Sequence, residues 1–289
     1  MTRADRKSIV VGVDDSEAAV EAALWAADLA ERMQVPLVLA SAVVVPAYYS
    51  VNVLMPTEIP LYSSESAAAN KYLDHAKSVV AEKYPDVEVS TWSNYGPADV
   101  ALTAWSRRAQ MIVVGAHRHI SVDSLIVGST TAQVVNHAEC PVAVWRGEPF
   151  AGPVVVGVDG SPLSNLAVEH AFEIASRYRT DLRAVHAWDP GVLIADERDV
   201  GSAAEDAVLA ECLAGWSEKY PDVEVTRVVV AAPPEEALQR QALDARLVVV
   251  GSHGRGRARS LFLGSTSRYL LSHSPCPVLV CRKEFEELA

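Results

Sequence analysis

The chain is written twice, and that duplication limits its folds more than any other property. Residues 10–16 (VVGVDDS) return as residues 155–161 (VVGVDGS) at an offset of 145. Residues 84–89 (YPDVEV) return unchanged as 220–225, 126–130 (IVGST) return as 262–266 (FLGST), and 140–146 (CPVAVWR) return as 276–282 (CPVLVCR), all at an offset of 136. The first copy therefore carries nine extra residues between Ala42 and Tyr84. Two copies of this size are each large enough to bury a core, so the pattern is a duplicated domain rather than a solenoid. Residues 147–153 (GEPFAGP) read as the linker, which gives domains 1–147 and 153–289.

Within each copy short apolar runs alternate with longer helical patterns. In the first, strands are expected at 9–13, 37–43, 87–94, 111–114 and 142–145. Helices are expected at 17–33, about 64–83, 97–109 and 130–137. The second copy repeats the order from 154 to 281. Nearly continuous Val, Ile and Leu strands, each followed by a helix, imply parallel sheets covered on both faces. The expected fold class is thus α/β, two tandem doubly wound parallel five-stranded sheets of Rossmann-like type. In such sheets ligands bind outside the carboxyl ends of the strands. The loops after the first and fourth strands are the places to look for chemistry.

Charge and cysteine content narrow the function further. A net charge of -12, from 25 basic and 37 acidic residues, lacks the basic footprint of a general nucleic-acid binder and disfavours anionic membranes. The uncharged stretch 33–57 is interrupted by Pro36, Pro46 and Pro56, and its dense part is shorter than the ~20 residues of a spanning helix. No signal-peptide apolar region follows the basic start, and four cysteines without a C-x-x-C fit neither a zinc site nor a disulfide framework. A soluble cytoplasmic protein is expected.

The loop after the fourth strand of the second copy reads Gly251-Ser252-His253-Gly254 and continues to Gly264-Ser265-Thr266, giving G-x2-G-x9-G-S. Glycine allows close approach of backbone to a ligand. Free N–H groups and the dipole at a helix start attract an anion, and the two hydroxyls add donors for phosphate oxygens. No G-K-[S/T] of a Walker loop occurs, and Asp14-Asp15-Ser16 and Asp159-Gly160-Ser161 stand where a dinucleotide-binding fingerprint would have glycines. Asp14 and Asp159 are placed to accept from a ribose or to hold a metal bridging phosphates. Ser16 and Ser161 read as helix caps.

These motifs in this order, twice, resemble those of a tandem universal stress protein of the ATP-binding type. The resemblance covers nearly the whole chain and implies an ATP-binding, stress-response regulatory protein, with Mg2+ as a further candidate. It implies cofactor contacts at Gly157, Asp159, Ala187, Val250, Gly251, His253, Gly254, Arg255, Gly256, Gly264, Ser265 and Thr266 in the second copy. The first copy offers Gly12, Asp14, Ala42, Val114, Gly115, His117, Arg118, Gly128, Ser129 and Thr130. Arg118 replaces the second glycine of the motif, so the first site is expected to be weaker or altered if that position needs positive φ. Arg255, Arg257, Arg259 and Arg268 make a local positive field at the second loop.

No catalytic residue is singled out, and the alternatives are a weak ATP hydrolase or a sensor of AMP or cyclic AMP. His117 and His119 lack ligand partners at zinc spacing, so no metal site is assigned. His137 and His273 fit the last turns of helices, and Trp25, Trp105 and Trp216 fit apolar helix faces. The fifth strands are edges of their repeats. By resemblance to single-domain relatives, the two halves pair there as an intramolecular pseudo-dimer that can dimerise again. The protein partner is unknown.

Overall fold

A computed structural model describes residues 7–43, 60–116, 128–147, 150–188, 195–254 and 263–282. The described residues divide into two compact units, the first ending at Cys140 and the second beginning at Pro141. The first unit contains β1 (Ser8–Gly12), α1 (Glu17–Met33), β2 (Leu37–Val43), α2 (Pro60–Lys83), β3 (Val89–Tyr95), α3 (Ala98–Ser106), β4 (Ala109–Gly115) and α4 (Ser129–His137). Its strands run parallel in the order β3-β2-β1-β4. This is the order of a doubly wound sheet, reversing at β1.

The second unit contains β5 (Val142–Trp145), β6 (Val154–Gly157), α5 (Pro162–Tyr178), β7 (Leu182–Trp188), α6 (Ala195–Leu213), α7 (Trp216–Lys219), β8 (Val225–Ala231), α8 (Pro234–Gln241), β9 (Leu247–Gly251), α9 (Ser265–His273) and β10 (Val278–Cys281). Its strand order is β5-β10-β9-β6-β7-β8, parallel from β10 to β8. β5 is the fifth strand of the first sequence repeat, yet it pairs antiparallel with β10, Ala143 opposite Leu279. An uncovered edge strand exposes a row of backbone donors and acceptors, and this pairing satisfies them.

The apolar runs became strands because both faces are covered. Ile9, Val10 and Val11 are fully buried, as are Val154, Val155 and Val156 at the same place in the second repeat. Each side chain so buried is worth roughly 1.5–3 kcal/mol of transfer free energy. α1 lays a face of Ala22, Ala23, Ala26 and Ala30 on the sheet, with Trp25 and Leu29 filling the wider gaps. α1 and α5 both end on a left-handed non-glycine residue, Gln34 at φ 57° and Arg179 at φ 51°. In each case the N–H of that residue satisfies two terminal helix carbonyls.

α3 stops at Ser106, short of the expected 109, because β4 already begins at Ala109. Of the three tryptophans read as core, Trp25 is buried, whereas Trp105 and Trp216 are half-buried. Cys276 precedes β10 and Cys281 ends it, and both are buried. Among the described residues no helix is long and apolar enough to cross a membrane. No group of three or more His, Cys, Asp or Glu that could hold a metal ion is found among them.

Arg146, just past β5, is buried at 4% exposure. Its guanidinium donates to the carbonyls of Leu270, Leu271 and Ser272. A cation there satisfies the orphan carbonyls and opposes the negative end of the α9 dipole. Desolvation nevertheless lowers its pKa to about 10.

Candidate functional site

In each unit the loop after the first strand turns on an aspartate and a serine with separate jobs. Asp14 Oδ1 accepts from the Ser16 N–H at 3.0 Å and from the Ser16 hydroxyl at 2.5 Å. Ser16 Oγ in turn accepts from the Ala19 N–H at 3.2 Å and caps α1. Asp159 Oδ1 accepts from the Ser161 N–H at 2.9 Å, and Ser161 Oγ caps α5 through the Ser164 N–H at 3.2 Å. The serines are thus the caps, while each aspartate makes a turn that fixes its own orientation.

The helices after the fourth strands begin differently. α4 opens at Gly128 and α9 at Gly264, neither with a side-chain cap, and neither has an acidic residue in its first turn. Two positive helix ends are left without the capping oxygen that α1 and α5 have. The Ser252 carbonyl fixes the start of α9, accepting from the Gly264 N–H at 2.8 Å and from Ser267 Oγ at 3.3 Å. Ser252 also donates its N–H to Cys281 O at 2.8 Å. One buried residue therefore closes the long loop at its base.

Each uncapped end opens into a cavity with the aspartate of the first loop on its wall. The second unit has a cavity of about 340 Å³. Its lining includes Gly157, Asp159, Ala187, Val250, Gly251, His253, Gly254, Gly264, Ser265 and Thr266, every second-copy residue expected from the sequence that is described. The first unit has one of about 210 Å³, which brings together Gly12, Asp14, Ala42, Val114, Gly115, Gly128, Ser129 and Thr130. His117, Arg118, Arg255 and Gly256 lie outside the described residues, as do His119, Arg257 and Arg259. Arg268 is described, and its guanidinium donates to Leu263 O at 2.9 Å, bracing the loop end.

The glycines serve by leaving space. A Cβ on Gly254 would collide with Asp159 Oδ2, and Gly254 is not among the residues of positive φ. Glycine at this position serves close approach to Asp159 and not the positive φ expected from the sequence. A Cβ on Gly115 would stand 2.8 Å from Ala18 O, and one on Gly251 would stand 3.0 Å from the Leu163 carbonyl carbon, so these glycines let α1 and α5 lie against the sheet. Gly12 and Gly157 make room for Leu102 and Leu238.

Those leucines are among the lining residues that sequence reasoning missed. α3 supplies Ala98, Ala101 and Leu102 to the first cavity, and α8 supplies Pro234 and Leu238 to the second. Trp92 of β3 also lines the first cavity. The matching offset of 136 between Leu102 and Leu238 was the available signal; nothing local distinguishes them from core leucines. His137 and His273, by contrast, sit as read: each ring Nδ1 lies 2.9 Å from the carbonyl one turn back, of Gln133 and of Tyr269.

Behind the second cavity His186, 2% exposed, bridges two elements. Its Nδ1 lies 2.6 Å from Val158 O, which can only accept, so Nδ1 carries the hydrogen. Its Nε2 lies 2.6 Å from Glu205 Oε2 on α6. The residue preceding Asp159 is thereby tied to a covering helix. The equivalent position in the first repeat is Ser41.

Doubly wound parallel units, each with a cavity at the carboxyl ends of its strands and an uncapped helix on one wall, define a tandem α/β protein. The Universal stress protein family model matches residues 5–146 and 151–282. The chain is 36% identical over 299 residues to a universal stress protein of Mycobacterium tuberculosis, covering 95% of this chain and 96% of that one. It is likewise 36% identical over 288 residues to one of Mycolicibacterium smegmatis, covering 95% and 96%. Among solved structures it is similar in fold to a universal stress protein from Archaeoglobus fulgidus, with a TM-score of 0.71, 20% identity, and 96% and 98% of the two chains covered. The chain belongs to the universal stress protein family.

Proposed function

We propose that the protein is a regulatory binder of adenine nucleotides, with ATP held in the second unit. The observation that carries this reading is the uncapped start of α9 at Gly264, across one cavity from Asp159. N–H groups at Ser265 and Thr266, with their hydroxyls and the helix dipole, suit the phosphates. Asp159 suits ribose hydroxyls, and the apolar wall of Val158, Val185, Ala187 and Leu238 suits the base. Mg2+ would join through the phosphates, with Asp159 as the nearest carboxylate on this wall.

Retention is favoured over turnover because Asp159, the one carboxylate on the described lining, holds the Ser161 N–H and is assigned to the ribose. A base for water attack needs a free, aimed oxygen. Native mass spectrometry of the purified chain, with calorimetric titration of ATP, AMP and cyclic AMP, tests the reading. Bound adenine nucleotide with turnover near background supports it. Absence of binding by all three nucleotides rejects it, and hydrolysis well above background that is lost in Asp159→Ala while binding persists replaces it with an enzyme.

An intramolecular pseudo-dimer that can dimerise again is part of the same reading, and sedimentation of the intact chain reports whether two chains associate. A reducing, cytoplasmic compartment is part of the same reading.

A further inference from the structure

The two cavities correspond in register and differ in content. On β2 and β3 Ala40 stands opposite Trp92, and on β7 and β8 Val185 stands opposite Val228. Trp92 and Val228 are thus the same position of the repeat, and the offset of 136 agrees. Around it the walls match, Asp14 for Asp159, Leu102 for Leu238 and Gly128 for Gly264. The indole is held from behind by Trp105 of α3, ring centroids 5.7 Å apart at 87°. The repeat places Gln241 where Trp105 stands.

The sheet order β3-β2-β1-β4 puts Trp92 at the end of the first cavity far from β4 and the start of α4. If phosphate sits at α4, the base lies toward β3. The indole shortens the cavity at that end, consistent with a volume of 210 Å³ against 340 Å³. It also offers a π surface, on which any purine stacks.

We propose that Trp92 makes the first cavity a separate specificity site, one that takes a compact purine nucleotide of a single phosphate stacked on the indole. The second cavity, whose described lining has no tryptophan and does not include Val228, takes the triphosphate. This rests on the reading of both cavities as adenine-nucleotide sites.

The test uses the full chain and three variants, Trp92→Phe, Trp92→Val and Val228→Trp, titrated with AMP and with ATP by calorimetry and intrinsic fluorescence. In the parent, AMP quenches tryptophan emission through the first site and ATP fills the second. Trp92→Val shifts the AMP-to-ATP affinity ratio of the first site by about tenfold toward ATP. Trp92→Phe retains most of the preference, which separates stacking from damage to the fold, and Val228→Trp weakens ATP at the second site. Unchanged selectivity in Trp92→Val, with the second site binding normally, overturns the assignment to Trp92 alone. A parent chain that binds neither nucleotide overturns the underlying reading as well.

Discussion

Asp159 Oδ2 occupies the space that a Cβ on Gly254 would need. The loop after β6 and the loop after β9 come close there, and a larger residue at 254 would displace the Asp159 carboxylate. In the first repeat the position of Gly254 belongs to Arg118, and there Asp14 is exposed while Asp159 is half-buried. Gly254→Ala should push the two loops apart and lower ATP affinity of the second unit by about tenfold, equivalent to about 1.4 kcal/mol. Thermal stability should scarcely change, because the loop is not core. Calorimetry beside a melting curve checks both halves of the statement.

The turn and the charge of Asp159 can be separated. Asp159→Asn keeps an oxygen for the Ser161 N–H and should remain within about 0.5 kcal/mol of the parent in stability. Asp159→Ala loses that acceptor and should cost about 1 kcal/mol. Nucleotide affinity should fall in both if the carboxylate meets the ribose. Full affinity in the asparagine variant would show that the turn alone matters.

Arg146 is a single side chain answering three carbonyls of α9. Arg146→Met takes the guanidinium donors from Leu271 O and Ser272 O, while Leu270 O keeps the Ser274 N–H, and should destabilise the second unit by roughly 2–4 kcal/mol, read as a lower urea midpoint. Arg146→Lys should recover part of the loss, since a single ammonium cannot span the fork of contacts that the guanidinium makes.

Burial holds the Cys276 thiol neutral, its pKa pushed up to about 11. Because the folded value lies above the unfolded one, the unfolded chain loses this proton first as pH rises. The thiol's contribution to stability is full below about pH 9 and is lost through pH 11, worth about 2–3 kcal/mol at most. Cys276→Ala should flatten that alkaline loss. At pH 8 native-state alkylation should label half-buried Cys212 first and reach buried Cys140, Cys276 and Cys281 only on unfolding.

His186 joins Val158 O to Glu205 through two 2.6 Å contacts. Glu205→Ala strands a buried ring nitrogen and should cost about 1–3 kcal/mol. Replacing His186 with leucine in that background should return much of the loss. A double-mutant cycle by chemical denaturation measures the coupling, and additivity of the two changes would refute it.

Much of this architecture was legible in the chain itself. Repetition of VGVD and CPV, with offsets of 145 and 136, located two α/β halves, and the apolar runs at 37–43 and 142–145 became β2 and β5 with the same bounds. The family resemblance pointed to the cavity residues at the carboxyl ends of strands, such as Asp14 and Asp159, and at the starts of α4 and α9, such as Gly128 and Gly264. Trp92, Leu102 and Leu238 were not legible, since an apolar residue in a strand or helix carries no mark of whether it faces core or cavity.

Local chemistry therefore determined the elements, their order and the loops that carry polar groups. Tertiary structure decided what those groups meet. Only packing shows that Gly254 lies against Asp159, that Arg146 belongs to the end of α9, and that β5 pairs antiparallel with β10 with Ala143 opposite Leu279. Close approach and strand pairing are relations between residues far apart in the chain, and propensity and periodicity act only on neighbours.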